Sequence, residues 1–98
     1  VERLNARQVT ACMKSLPLWS LRGRRIRRVF ECGSFAEAIA FVGRVAAEAE
    51  RKDHHPDIDI QWNKVALSFT THSKGGLTRN DFMMARIADR LLARTASR

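Results

Sequence analysis

The sequence predicts an α+β fold: a four-stranded antiparallel sheet with three helices packed on one face, in the order α-β-β-α-β-β-α. Three observations lead there. The stretches Leu18–Glu31 and Ile58–Thr70 each alternate apolar with polar residues about a short turn, as hairpins do. Three other stretches repeat apolar residues at three- and four-residue steps behind a capping side chain, as amphipathic helices do. Finally, 98 residues suffice for one modest core, so residues 1–98 are expected to form a single domain, near the size at which oligomerisation often adds stability.

Taken in order, Asn5 caps a first helix running to about Ser15, with Val9, Cys12 and Met13 as its apolar stripe and Leu16-Pro17 as its end. Trp19 and Leu21 then lead to a break at Arg22-Gly23, and Ile26 to Phe30 complete a first hairpin. Five arginines crowd this hairpin, at positions 22, 24, 25, 27 and 28. They are placed in the turn and on the solvent side of a strand; with no nucleic-acid-binding signature beside them, contact with phosphate backbones is disfavoured. Ser34 and Glu37 form a capping box at the start of the longest helix, whose broad apolar face is Phe35, Ala38, Ile39, Val42, Val45, Ala46 and Ala49. That helix ends near Arg51, which leaves Glu50 on its last turn, where an acid opposes the helix dipole and gains nothing locally.

In the second hairpin Ile58, Ile60 and Trp62 alternate with Asp59 and Gln61, and Val65, Leu67 and Phe69 alternate with Ala66, Ser68 and Thr70. Asn63-Lys64 is left as the tight turn. Continuing the second strand puts His72 in phase with Ser68 and Thr70, on the less apolar side. Gly75-Gly76 turns the chain, and without a nucleotide-binding pattern the pair is weak evidence for phosphate binding. Thr78 caps the last helix, with Asp81 as its capping-box partner, Met84, Ile87, Ala88, Leu91 and Leu92 as its buried stripe, and a frayed basic tail from Arg94.

Composition excludes several classes. Hydrophobic residues at 45% and charged residues at 29% are ordinary for a folded domain. A net charge of +8 serves solubility as readily as it serves an acidic partner. Cys12 and Cys32 are too few for a disulfide framework and are expected to be reduced and semi-buried. No apolar run approaches the roughly 18 residues needed to cross a bilayer, and no signal-peptide pattern is present. A soluble, cytoplasmic protein with no membrane attachment is therefore expected, although the chain starts at Val1 rather than Met and this holds only for the residues shown.

All three histidines, His54, His55 and His72, fall between Glu50 and Asp81. Histidine both gives and takes a proton near neutral pH, with an unperturbed pKa of roughly 6.5, so the cluster points to proton transfer. Pro56 holds His55 out of the helical region. In an extended segment, neighbouring side chains face opposite ways, so His54 and His55 should have different roles. Zinc binding by these histidines with Asp53 or Asp81 is disfavoured, because the spacing matches no common zinc motif.

The spacing Glu50, three residues, His54-His55-Pro56, five residues, Trp62, nine residues, His72, eight residues, Asp81 resembles the signature of the pterin-4a-carbinolamine dehydratases. Asn63-Lys64-Val65, Thr71-His72 and Gly76-Leu77-Thr78 extend the likeness, which spans Leu16 to Leu92. The segment Asp57–Gln61 is less aromatic than its counterpart in animal members. The resemblance implies the same α+β architecture, assembled as a homo-oligomer, a dimer or tetramer whose sheets extend across subunits. It implies dehydration of a 4a-hydroxytetrahydropterin, such as 4a-hydroxytetrahydrobiopterin, to the quinonoid dihydropterin, in recycling the cofactor of an aromatic amino acid hydroxylase. Acid and base groups are needed for that, but no cofactor and no metal. By the same likeness His54 and His72 are the acid/base pair, His55 assists or binds substrate, Asp81 orients His72, and Glu50 and Trp62 line the site. The alternative is a catalytically idle interaction module, a transcription-factor dimerisation partner or an assembly helper, for which a full set of histidines has no use.

Overall fold

A computed structural model describes residues 1–96. The elements are α1 (Ala6–Met13), β1 (Ser20–Arg22), β2 (Arg25–Glu31), α2 (Phe35–Lys52), β3 (Asp57–Gln61), β4 (Lys64–Phe69) and α3 (Arg79–Ala96), with a 3₁₀ turn at His72–Lys74. The strands form one antiparallel sheet in the order β1-β2-β4-β3. Class and element order are those the sequence predicts.

Strand alternation decides what each face of the sheet meets. Ile26 and Phe30 of β2 lie opposite Phe69 and Val65 of β4 and, with Leu67, are completely buried. Ala38, Phe41, Val45 and Ala49 of α2 and Phe82, Met84, Ala85 and Ala88 of α3 belong to the same core. Phe30 anchors it, with its ring centroid 4.8 Å from Phe41 and 5.8 Å from Trp19. Removing a wholly buried ring of this kind costs about 3–5 kcal/mol. Cys32 is also buried; burial first, and the Glu37 carboxylate second, push its thiol up from the ordinary 9.0.

The structure corrects six local expectations. Arg28 does not face solvent: it shares the inner face with Ile26 and Phe30, its guanidinium carbon 4.2 Å from the Phe30 centroid and its Nη1 2.6 Å from Asp89 Oδ1, which also accepts from Trp19 Nε1. Strand parity overrides charge because Asp89 on α3 supplies the partner. Only part of the expected α2 face is buried, since Phe35, Ile39 and Ala46 lie on the flank of the buried Ala38, Phe41, Val45 and Ala49 stripe and are exposed. α1 ends at Met13, two residues short of Ser15, and α3 continues past Arg94 to Ala96; the remainder of the expected tail lies outside the described residues.

The turn of the second hairpin is Trp62-Asn63, not Asn63-Lys64. Lys64 pairs with both Gln61 and Glu31, and Asn63 clamps the turn onto the β2–α2 connection. Its Nδ2 donates to the Cys32 carbonyl at 2.9 Å, and its own carbonyl accepts the Cys32 N–H at 2.8 Å. Trp62 is left at φ 54°, a left-handed conformation uncommon for a bulky side chain. Lastly, β4 stops at Phe69. Thr71 bridges Gly76, and His72 opens the 3₁₀ turn instead of extending the strand.

Candidate active site

The C-terminus of α2 delivers two of the histidines. The His54 N–H donates to the Ala49 carbonyl at 3.0 Å and the Asp53 N–H to that of Glu50 at 3.3 Å, with Asp53 at φ 51°. This is the pair of bonds that closes a helix around a left-handed residue. Asp tolerates that conformation better than most residues. The chain leaves the helix sharply, and the two imidazoles take different partners. His54 turns inward, its side chain 10% exposed, with Nε2 2.6 Å from Asp81 Oδ1 and its ring nearly parallel to that of Phe69, centroids 6.2 Å apart. His55 stays exposed and pairs with the exposed Glu50, Nε2 to Oε2 at 2.5 Å.

Asp81 arrives from the other side, in the first turn of α3, and is wholly buried. Its Oδ2 accepts the Thr78 N–H at 2.9 Å while the Thr78 hydroxyl accepts the Asn80 N–H at 3.3 Å, so the carboxylate does serve as a capping partner. The same Oδ2 accepts from the Thr71 hydroxyl at 2.9 Å. Thr71 has one hydroxyl proton and spends it there, so Thr78 must donate in the 2.9 Å Thr71–Thr78 contact. Every donor around the carboxylate is thereby accounted for. His54 must then carry its proton on Nε2, and in the neutral ring Nδ1 holds the free lone pair.

The predicted site residues are gathered only in part. His54 joins Asp81, and His55 joins Glu50. His72 is exposed and lines a cleft with Thr70 and the Arg24 turn that contains neither of the other histidines. Asp81 does not orient His72, as the resemblance implied; its ring partner is His54, because the strand ends at Phe69 and Thr71, not His72, turns inward. Trp62 is 72% exposed at the hairpin tip. Four residue steps separate the Gln61 and Asp57 ends of β3, roughly 13 Å at a strand's rise, and His55 lies beyond the Asp57 end. Within one copy of the chain, Trp62 and the His54 centre are therefore apart.

Thr71, Thr78 and Phe69 join the centre without having been singled out as site residues. The Thr-x-x-Asp spacing signals the Thr78–Asp81 pair, but the Thr71 and Phe69 contacts exist only once β4 lies beside α3. Among the described residues, no group of three or more His, Cys, Asp or Glu side chains could hold a metal ion.

Comparison with known proteins agrees with the fold. The sequence model of the family described as "Pterin 4 alpha carbinolamine dehydratase" matches residues 2–91. A provisionally named pterin-4-alpha-carbinolamine dehydratase of Roseiflexus sp. (strain RS-1) is 47% identical over 90 residues, covering 92% of this chain and 97% of that one. Its counterpart from Nocardia farcinica (strain IFM 10152) is also 47% identical, covering 92% and 95%. Among solved structures, one described as a transcriptional coactivator/pterin dehydratase from Brucella melitensis superposes with a TM-score of 0.88 at 32% identity, over 93% of this chain and 99% of its own. The fold alone is shared with a pterin dehydratase-like protein described as a RuBisCO assembly factor in the alpha-carboxysome, at a TM-score of 0.63 and 23% identity over 76% and 86% of the two chains.

Proposed function

Because this chain belongs to the pterin 4 alpha carbinolamine dehydratase family, we propose that residues 1–98 act as one dehydratase domain that removes water from a 4a-hydroxytetrahydropterin. The C4a–O bond breaks as the hydroxyl takes up a proton, and the adjacent N5 gives up its proton. Quinonoid dihydropterin and water result. The ring supplies its own electrons, so the step balances with acid and base groups alone.

The observation that carries the reading is the wholly buried Asp81 carboxylate on His54 Nε2. A histidine held in one tautomer by a fixed carboxylate presents its other nitrogen for proton transfer and stabilises the imidazolium it becomes. His54 is thus the base for N5, with Asp81 as its positioning residue. His72, exposed and one residue beyond the Thr71 that bonds Asp81, protonates the leaving hydroxyl. His55 assists, its imidazole held by Glu50, which borders the site. Trp62 serves a site only as part of a neighbouring copy of the chain, which fits a homo-oligomer, a dimer or tetramer. The exposed Phe35 and Ile39 of α2, the edge strand β3 and the exposed Ile58 support that assembly.

The substrate would come from an aromatic amino acid hydroxylase in the same compartment. Free thiols at Cys12 and Cys32 suit a reducing cytoplasm, and among the described residues no helix is long and apolar enough to cross a membrane. Stopped-flow absorbance tests the proposal. His54→Ala or His72→Ala should slow dehydration at least about tenfold, against the factor of about 10² to 10⁴ typical of one acid/base group, with the fold intact by circular dichroism. A wild-type rate equal to the spontaneous one rejects the enzyme and leaves the exposed α2 stripe as the basis of an interaction module.

A further inference from the structure

The turn joining β1 to β2 stands beside His72 and carries charge that the proton transfer does not use. Gly23, at φ 62°, allows a two-residue reversal through Gly23 and Arg24, and Arg25 opens β2 beside the loop that follows β4. Two hydrogen bonds hold turn and loop together. The Thr70 hydroxyl donates to the Arg24 carbonyl at 2.6 Å, and Arg24 Nη1 donates to the Gly75 carbonyl at 3.4 Å. Between them lies a cleft of about 210 Å³ lined by Arg24, Arg25, Thr70, His72, Gly75 and Gly76.

The lining contains two guanidiniums, an imidazole and no acid. Arg25 is partly satisfied by Asp57 at 2.8 Å and Ser68 at 3.1 Å. Among the described residues the Arg24 side chain has only its long contact to one carbonyl, which leaves most of its five N–H donors for another acceptor. A third guanidinium backs the same corner: a Cβ at Gly76 would lie 3.1 Å from Arg3 Nε, so glycine there makes room for Arg3. At 210 Å³ the cleft falls short of the roughly 300–1,000 Å³ that takes a whole small ligand. It is sized for one end of a larger molecule.

We infer that this cleft is the subsite for an anionic group on the pterin's side chain, and that the preferred substrate is a tetrahydropterin whose C6 substituent ends in a phosphate or a carboxylate. The inference rests on the dehydratase reading and on the ring's connectivity. C6 is joined to C4a through N5 alone, so with the 4a hydroxyl at His72 the C6 chain begins within two bonds of the reacting carbon, close enough to reach the residues flanking His72. Arg24 offers the planar fork that matches either anion.

Three 4a-hydroxytetrahydropterins generated in the stopped-flow cell test it, with C6 chains that are neutral, phosphate-terminated and glutamate-terminated. A charge-assisted contact of this kind should give at least one anionic substrate a kcat/KM about tenfold above the neutral one. The preference should shrink at high salt. Arg24→Ala, which keeps the carbonyl bonded by Thr70, should bring the ratio close to one, and Arg24→Lys should restore part of it. The more favoured tail identifies the anion. Equal kcat/KM for all three, or a preference that survives Arg24→Ala, overturns the subsite. If no substrate is dehydrated faster than it decays by itself, the dehydratase reading falls instead, and the subsite keeps a separate readout. Inorganic pyrophosphate should then shift the His72 ring signals saturably in the NMR spectrum of the wild type and not of Arg24→Ala; no shift overturns the subsite on its own.

Discussion

Asp81→Asn separates the structural duty of Asp81 from its chemical one. Asp81 Oδ2 accepts two donors, Thr71 Oγ1 and Thr78 N, whereas Oδ1 accepts one, His54 Nε2. An asparagine retains one acceptor oxygen, and the lower-energy choice keeps it where two donors converge. The new NH₂ then faces His54 Nε2, which can no longer be a donor. The imidazole must move its proton to Nδ1, and the nitrogen proposed as the base is lost. Stability should suffer modestly: two bonds change from charged to neutral acceptors and a third reverses, about 1–3 kcal/mol in sum against a typical total of roughly 5–15 kcal/mol. Activity should suffer far more, because a wrong tautomer beneath a carboxylate-to-amide change costs about 10⁴ in a Ser-His-Asp enzyme, so a fall of about 10² to 10⁴ in kcat is expected here. Stopped-flow dehydration, urea denaturation and ¹⁵N spectra of the His54 ring would be measured on one sample. A folded variant with its proton on Nδ1 and wild-type turnover would refute the assignment of Nδ1 as base. Asp81→Ala is the less informative choice, since three buried or half-buried donors would lose their acceptor at about 1–3 kcal/mol each.

Two further outcomes follow from the fold. Burial and Glu37 raise the Cys32 thiol in the folded chain above its ordinary 9.0, so the unfolded chain releases this proton first. The contribution to stability is whole below pH 9.0 and declines as pH rises towards the raised folded value; chemical denaturation of wild type and Cys32→Ala between neutral and strongly alkaline pH should show the excess loss only in the wild type, above that point. Trp62→Gly should leave the stability of an isolated protomer unchanged or raise it by up to about 1 kcal/mol, as relief of the left-handed strain offsets the entropy of a new glycine. A larger loss that grows with protein concentration would place the indole against another copy of the chain.

Much of the architecture could be read locally. Capping side chains at Asn5, Ser34 and Thr78 start helices where they were expected, because a cap and its partner sit within one turn of each other. Alternation places Val65, Leu67 and Phe69 inward, because the strand period leaves no other choice once one face is covered. Arg28 shows where such reading stops: its charge argued for solvent, and only the arrival of Asp89 from α3 makes the inward position tolerable.

The candidate site divides along the same line. The sequence by itself determined which residues are candidates for chemistry, that Asp81 closes a capping box with Thr78, and, through Pro56, that His54 and His55 cannot share a direction. Tertiary structure alone decided that Asp81 serves His54 instead of His72, that Trp62 stands at the far end of the hairpin, and that Arg24 flanks His72. Each of those three depends on where one element comes to rest against another, and that is set by burial of the apolar core common to the sheet, α2 and α3, a sum over distant residues to which no local spacing gives access.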